Sequence, residues 1–254
     1  MGRRLGQHFL KNRSILQRIA QAAVPTESTV IEIGPGKGAL TGYLLERASR
    51  VIAIEVDGLL VQYLRQKFAG ESKVEIVEAD ILKADLSQWG PAFVAGNLPY
   101  YITSPILEKV LRTGPLLESG VFLVQKEVAE RITSPPGNRD YGYLSVLVQT
   151  FGIAKRLFDV PPSAFAPPPK VDSTVFSVRP RPEPLVDDAD DFLRFVSACF
   201  HQKRKTLRNN LLGTVDPSIL ATLPEAGQRA EQLTIEQFVD LYRRVSAATS
   251  ILKG

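Results

Sequence analysis

The sequence predicts an α/β fold: a mostly parallel sheet of seven strands with one antiparallel member, followed by a small all-helical domain. Three observations predict it. Short runs rich in Val and Ile recur through the first two thirds of the chain, near residues 30–33, 51–55, 74–77, 93–96, 121–124, 153–160 and 171–178. Through the first five of these, segments with apolar residues at helical spacing alternate with the strands. That is the rhythm of strand–helix–strand units with right-handed crossovers. Beyond Pro180, Pro182 and Pro184 strand patterning ceases and only helical periodicity remains.

Taken in order, Ile15, Leu16, Ile19, Ala20 and Ala23 recur at helical spacing after Asn12, a residue suited to capping, and Pro25 stops the helix. The strand at 30–33 runs into the turn Gly34-Pro35-Gly36-Lys37-Gly38, and a helix follows through Leu40, Leu44 and Leu45. The strand at 51–55 ends on Glu55, a helix covers about 58–68, and the strand at 74–77 ends near Asp80. The strand at 93–96 leads into Asn97, a helix covers 105–112, and 121–124 is the fifth strand. The strands at 153–160 and 171–178 lie close in sequence across a proline-rich loop, so one of them is expected to run antiparallel. In the tail, Phe192, Phe195, Val196, Cys199 and Phe200 share one helical face. Two domains are expected, 1–182 and 183–254, with the prolines as a stiff linker between them.

Composition bounds the function. A chain of 254 residues with 44% hydrophobic content can bury one large or two modest cores. A single cysteine, Cys199, excludes an internal disulfide framework and fits a reducing cytosol, so a cytoplasmic location is expected. No run of eighteen apolar residues suggests a membrane span, and the basic start lacks an apolar signal core. The net charge of +4 leans towards a polyanionic partner. In the tail the charge is segregated: Asp187, Asp188, Asp190 and Asp191 precede Lys203, Arg204, Lys205 and Arg208.

A glycine-rich turn between strand and helix admits a ligand close to the backbone. Gly34-x-Gly36-x-x-Ala39, with Glu55 about twenty residues on, satisfies the dinucleotide spacing, so a nicotinamide reading stands on spacing alone. A P-loop does not fit, because Lys37-Gly38-Ala39 lacks the Lys-Ser/Thr placement. S-adenosylmethionine is favoured by the groups at successive strand ends. Glu55 can take both ribose hydroxyls, Asp80 can accept from an adenine amino group, and Asn97 faces the methionine end. Asn97-Leu98-Pro99-Tyr100 sets an amide, a rigid proline and a flat ring at the carboxyl edge of a strand, where open α/β sheets bind ligands. Those groups suit a planar, amino-bearing base.

The sequence resembles the KsgA-type small-subunit (16S) ribosomal RNA adenine N6,N6-dimethyltransferases over essentially its whole length. The resemblance is carried by Gly6-Gln7-His8-Phe9-Leu10, Glu32-Ile33-Gly34-Pro35-Gly36, Asn97-Leu98-Pro99-Tyr100, Gln125-Lys126-Glu127-Val128 and Tyr141-Gly142-Tyr143-Leu144-Ser145-Val146. It is carried further by the long stretch from Pro161 to Ser173 and by Lys203-Arg204-Lys205-Thr206-Leu207-Arg208-Asn209. It implies a class I S-adenosylmethionine-dependent methyltransferase fold, Rossmann-like, with S-adenosylhomocysteine as product. By similarity, His8 and Leu10 join Gly34, Gly36, Glu55, Asp80 and Asn97 at the methyl donor, His8 standing where Asn is common in the family. A histidine there can donate to the methionine portion, with a pH-sensitive role.

The implied reaction attaches methyl groups to adenine N6, whose lone pair is delocalised into the ring. The side-chain carbonyl of Asn97 and the backbone carbonyl of Leu98 can accept the two N6 hydrogens and favour a pyramidal nitrogen. Positioning and electrostatics would supply most of the rate. Tyr100 offers one face for the base, and Phe165, between Pro161-Pro162 and Pro167-Pro168-Pro169, is expected to be exposed as the second. Lys203, Arg204, Lys205 and Arg208 are the expected RNA contacts, with Arg204 and Arg208 on one helix face at i, i+4 and Arg3, Arg4, Lys11 and Lys170 as additions. The implied substrate is a hairpin loop near the 3′ end of small-subunit rRNA, dimethylated at two adjacent adenosines on an assembling 30S subunit by a monomer without metal. The rivals are a resistance-type 23S rRNA adenine methylase, a non-catalytic nucleic-acid assembly factor and, more distantly, a nicotinamide dehydrogenase.

Overall fold

The computed structural model describes residues 8–25, 27–99 and 102–253. Contacts divide the chain into two compact units. The first runs to Ala129 and resumes over Gly152–Pro180; the second takes Glu130–Phe151 and begins again at Arg181.

In the first unit a short strand, β1 (Phe9–Leu10), precedes α1 (Arg13–Ala23). Asn12 caps that helix, its side chain accepting from Ile15 N at 3.2 Å, and Ile15, Leu16, Ile19, Ala20 and Ala23 form its buried stripe. Then follow β2 (Thr29–Ile33), α2 (Ala39–Leu45), β3 (Arg50–Glu55), α3 (Gly58–Lys67), β4 (Val74–Glu78), β5 (Ala92–Asn97), α4 (Thr103–Leu111) and β6 (Leu117–Gln125). After an excursion into the second unit the chain returns as β7 (Gly152–Val160), the two-residue β8 (Phe165–Ala166) and β9 (Ser173–Pro180). Pro105 falls inside the first turn of α4, where its missing N–H costs nothing, so the helix starts before the proline.

The seven-stranded sheet has the order β4-β3-β2-β5-β6-β9-β7. Strands β2 to β6 pair in parallel, and β9 is antiparallel to both of its neighbours, as expected for one late strand. This is the mostly parallel α/β sheet that the alternating pattern predicted, and the class I methyltransferase arrangement that the resemblance implied. The order reverses between β2 and β5, and their carboxyl ends open a crevice suited to a ligand. Gly96 lets the two strands approach, since a Cβ there would stand 2.7 Å from the carbonyl oxygen of Ile33.

The second unit holds α6 (Tyr143–Phe151), α7 (Ala189–Cys199), α8 (Leu207–Leu211), α9 (Pro217–Thr222) and α10 (Ile235–Lys253), and the chain enters it within α5 (Lys126–Thr133). A single boundary at 182/183 was expected; the structure also gives Glu130–Phe151 to this unit. The reason is packing: Tyr141, fully buried, meets Phe200 edge-on with centroids 6.3 Å apart. The acidic cluster proves to be a helix start. Asp188 caps α7 by accepting from Asp191 N at 2.9 Å, and Asp190 and Asp191 lie in its first turn, favourably placed against the helix dipole.

Candidate active site

At the carboxyl ends of β2, β3, β4 and β5 lies a cleft of about 300 Å³. The structure brings His8, Leu10, Gly34, Gly36, Glu55, Asp80, Asn97, Leu98 and Pro99 together around it. These positions lie as much as 91 residues apart in sequence. Helices α1 and α4 close its sides with Leu16, Ile19 and Ile106, so the walls are apolar and the polar groups few.

The turn after β2 holds Gly34, Gly36 and Gly38 at φ +65°, +57° and +68°, where a side chain would be strained. Space beside Gly34 is open, whereas a Cβ at Gly38 would meet Phe68 at 2.7 Å and Leu64 at 2.8 Å. Lys67 of α3 secures the turn by donating to the carbonyls of Lys37 at 2.8 Å and Gly38 at 3.0 Å. Glu55 secures it from the strand side. Its Oε2 accepts from Gly36 N at 3.1 Å, and its Oε1 from Val56 N at 2.9 Å and Asp57 N at 3.1 Å. A buried carboxylate aimed along such a turn, beside open space, fits a polyhydroxylated ligand laid across it. Asp80 accepts from Leu82 N at 3.0 Å and faces the same space.

Asn97 ends β5, and its Nδ2 donates to the His8 backbone carbonyl at 3.2 Å. The amide is thereby oriented with its carbonyl oxygen as the group left to accept from a ligand. Pro99 O already accepts from Ile102 N at 3.2 Å and Thr103 Oγ1 at 3.1 Å. His8 Nδ1 lies 2.9 Å from Pro167 O, a carbonyl that can only accept, so Nδ1 carries the proton of that contact. The N-terminal strand is thus tied to the proline loop from both backbone and side chain.

Sequence reasoning quoted Glu32 within a motif without giving it a role. The structure places its side chain, only 2% exposed, on the cleft wall, accepting from Thr41 Oγ1 of α2 at 2.5 Å. Burial pushes its carboxyl up from the ordinary carboxylate range to about 7. The Thr41 hydrogen bond opposes that shift, nearby Glu55 adds to it, and Lys67 opposes it.

The expected exposure of Phe165 is corrected. Phe165 is not exposed: it is 1% accessible and packs in the core with Leu10, Leu16 and Ile19. Its backbone pairs with Leu10 and that of Ala166 with Phe9, and strand alternation turns Phe165 inward and Ala166 outward. A core-packed ring offers no face to a base. Tyr100 lies outside the described residues, as do Arg3 and Arg4.

In the second unit Lys203, Arg204 and Lys205 sit in an exposed turn between α7 and α8. Arg208 is on α8, which begins at Leu207, so Arg204 and Arg208 do not share a helix face as the spacing suggested. The turn is built on Asn210, which the sequence did not single out. Its Nδ2 donates to the carbonyls of Cys199 at 2.7 Å and Gln202 at 3.1 Å, and its Oδ1 accepts from Gln202 N at 3.0 Å. Lys203 Nζ donates to the carbonyl of Arg139, and Thr206 bridges to Arg229, so two more arginines border the basic turn.

Comparison with known proteins follows the same outline. Residues 2–247 match the family described as ribosomal RNA adenine dimethylase. A protein of Acidobacterium capsulatum named ribosomal RNA small subunit methyltransferase A is 43% identical, the match covering 94% of this chain and 89% of that protein. One of the same name from Thermotoga maritima is 43% identical over 98% of this chain and 87% of its own. Among solved structures, a dimethyladenosine transferase from Plasmodium falciparum is similar with a TM-score of 0.78 and 28% identity, covering 92% of this chain and 96% of that one. The 23S rRNA methyltransferase ErmE is similar with a TM-score of 0.71 and 29% identity, covering 94% and 99%.

Proposed function

The chain belongs to the ribosomal RNA adenine dimethylase family, and from that premise we infer that it is an S-adenosylmethionine-dependent adenine N6,N6-dimethyltransferase of small-subunit ribosomal RNA. The observation that carries this reading is the oriented Asn97 amide on the rim of the cleft that also holds Glu55 and Asp80. The residues fit the donor. Glu55 is assigned the ribose hydroxyls, Asp80 the adenine amino group, and Gly34, Gly36, Leu10 and His8 the methionine portion. Bound S-adenosylmethionine supplies an electrophilic methyl group on a sulfonium.

The chain's own residues then have two tasks. Asn97 Oδ1 and the Leu98 carbonyl accept the N6 hydrogens of a target adenine, drawing its lone pair out of conjugation. Tyr100, by its place in the motif, is assigned the ring on which the base stacks, worth about 1–3 kcal/mol. No strong base is required, since the proton leaves after the methyl group has arrived. The base must leave its stack to reach the rim. Lys203, Arg204, Lys205 and Arg208 are assigned to phosphates, giving affinity without sequence choice.

The finer reading is that two adjacent adenosines in a hairpin near the 3′ end of the 16S rRNA are the targets. They are met on an assembling 30S subunit, by a monomer in the cytoplasm. The second reading is methylation of 23S rRNA, favoured by the likeness to ErmE. The relatives named for the small subunit, above 40% identity over nearly the whole chain, support the first. Transfer of labelled methyl groups from S-adenosylmethionine to isolated small and large subunits decides between them. Label in the small subunit is expected; label confined to the large subunit would overturn the reading, and none in either would favour a non-catalytic factor.

A further inference from the structure

The proline-rich stretch from Pro161 to Ser173 is left without a task once Phe165 is found in the core. What it touches is β1. Leu10 pairs with Phe165 and Phe9 with Ala166, and Lys11 N and Asn12 N both donate to the carbonyl of Ala164, at 2.8 and 3.3 Å. The same register brings Pro167 opposite His8. A proline has no N–H to donate, so the ladder is not extended there. The two residues meet differently. The His8 ring donates through Nδ1 to the Pro167 carbonyl at 2.9 Å, and the His8 carbonyl accepts from Asn97 Nδ2 at 3.2 Å. We propose that His8 is a positioning residue for methyl transfer, its ring anchoring on Pro167 the backbone carbonyl that aims the Asn97 amide. This rests on the role given to Asn97 above.

A side-chain amide turns about its last bond, so either its nitrogen or its oxygen can face a given neighbour. A backbone carbonyl only accepts. His8 O therefore selects the nitrogen and turns Asn97 Oδ1 towards the place of the target base. That selection holds only while the carbonyl stays in place. Leu10 and Phe165, both buried, fix the β1–β8 ribbon from within. Phe9 steadies it against the donor turn: a Cβ on Gly36 would stand 3.0 Å from the Phe9 ring, and Lys37 Nζ lies 5.2 Å from the centroid of that ring. His8 precedes the first ladder pair, where strand pairing no longer holds the backbone, and its ring supplies a tie at that point.

One short strand thus touches the donor turn through Phe9, the Asn97 amide through the His8 carbonyl and the proline loop through the His8 ring. An amide released from this hold presents its oxygen to the base for only part of the time, and the rate falls with the productive fraction. The loss belongs to the transfer step and persists at saturating donor. Its size lies between the worth of one hydrogen bond and the cost of a misplaced reacting group, about five- to 100-fold in rate.

Single-turnover methyl transfer to under-methylated small subunits at saturating S-adenosylmethionine, beside calorimetric donor affinity, tests this on the full chain. His8→Ala should lose about five- to 100-fold in rate, more than it loses in donor affinity. His8→Asn carries Nδ2 on Cγ, where histidine carries Nδ1, and should recover most of the lost rate. His8→Gln, its amide one bond further out, should recover less. The decisive arm is a double-mutant cycle with Asn97→Ala. Because His8 acts through the amide, adding His8→Ala to Asn97→Ala should lower the remaining rate by less than about twofold. A role confined to folding or to donor contact would lower both backgrounds alike. Multiplication of the two losses would therefore overturn the proposal, as would an unchanged rate in His8→Ala or a loss confined to donor affinity. Should His8→Ala fail to fold, equal rates in His8→Asn and His8→Gln would overturn it in the same way. Full activity in Asn97→Ala would instead strike the role of that amide, and the proposal with it.

Discussion

Replacing Phe165 separates packing from recognition. The ring is 1% exposed and sits where the β1–β8 ribbon meets Leu16 and Ile19 of α1, so truncation to Ala leaves a cavity beneath the segment carrying His8. Phe-to-Ala changes at such sites cost about 3–5 kcal/mol. A leucine keeps most of the volume and is expected to cost less than about 2 kcal/mol. Were the ring a stacking platform, leucine would forfeit about 1–3 kcal/mol of base affinity, roughly five- to 150-fold, with stability unchanged. Denaturant unfolding combined with methyl-transfer kinetics on small-subunit RNA reads both quantities. The expected outcome is destabilisation graded Ala over Leu, with Phe165→Leu keeping its KM for RNA within about threefold. A Leu variant of normal stability but with KM raised tenfold or more would refute the assignment to the core.

Four further outcomes follow from the geometry. Asn97→Ala should lower methyl transfer by about 10²–10³ while weakening donor binding only modestly, measured by single-turnover transfer beside calorimetry. Gly96→Ala would drive a Cβ to 2.7 Å from the Ile33 carbonyl, so the β2–β5 contact must part; a loss of at least about 2 kcal/mol in thermal or denaturant unfolding is expected. Asp159 accepts from Thr174 at 2.7 Å and pairs with Lys126 at 3.0 Å and Arg156 at 3.2 Å, and these hold its carboxyl down at about 2. Its depressed value means stability present above the unfolded value near 3.8 and lost as pH falls towards about 2. Solvent screening at this exposed site limits the contribution to under about 1 kcal/mol, and an Asp159→Asn difference in unfolding should vanish in that acid window. Finally, Arg204→Ala with Arg208→Ala should reduce the salt dependence of RNA binding without altering donor affinity; an unchanged slope would remove both from the interface.

Much of this architecture could be read from the chain, and the exceptions share a cause. Asn12 before an apolar stripe, Glu55 closing a β-branched run and Asn97 after another are local signals, written within a few residues of where they act. Strand ends in a parallel sheet converge by topology, so Glu55, Asp80 and Asn97 could be assigned to one rim from their order alone. Phe165 could not be read this way. Flanking prolines mark a loop, but its direction is set by pairing with Leu10, 155 residues away in the chain. The placement of Glu130–Phe151 in the helical unit likewise depends on Tyr141 finding Phe200. Glu32 sits on a strand buried along almost its whole length, and only the fold shows that its side chain lines the cleft. Asn210 carries no local signal of its role; its three hydrogen bonds are what fix the turn.

The most direct measurement is incubation of under-methylated small subunits with the chain and S-adenosylmethionine, followed by mass mapping of the RNA. Two neighbouring adenosines, each gaining two methyl groups at N6, are the predicted product, and Asn97→Ala should leave them bare. Methylation at another base or atom, or undiminished product with the alanine variant, would contradict the account.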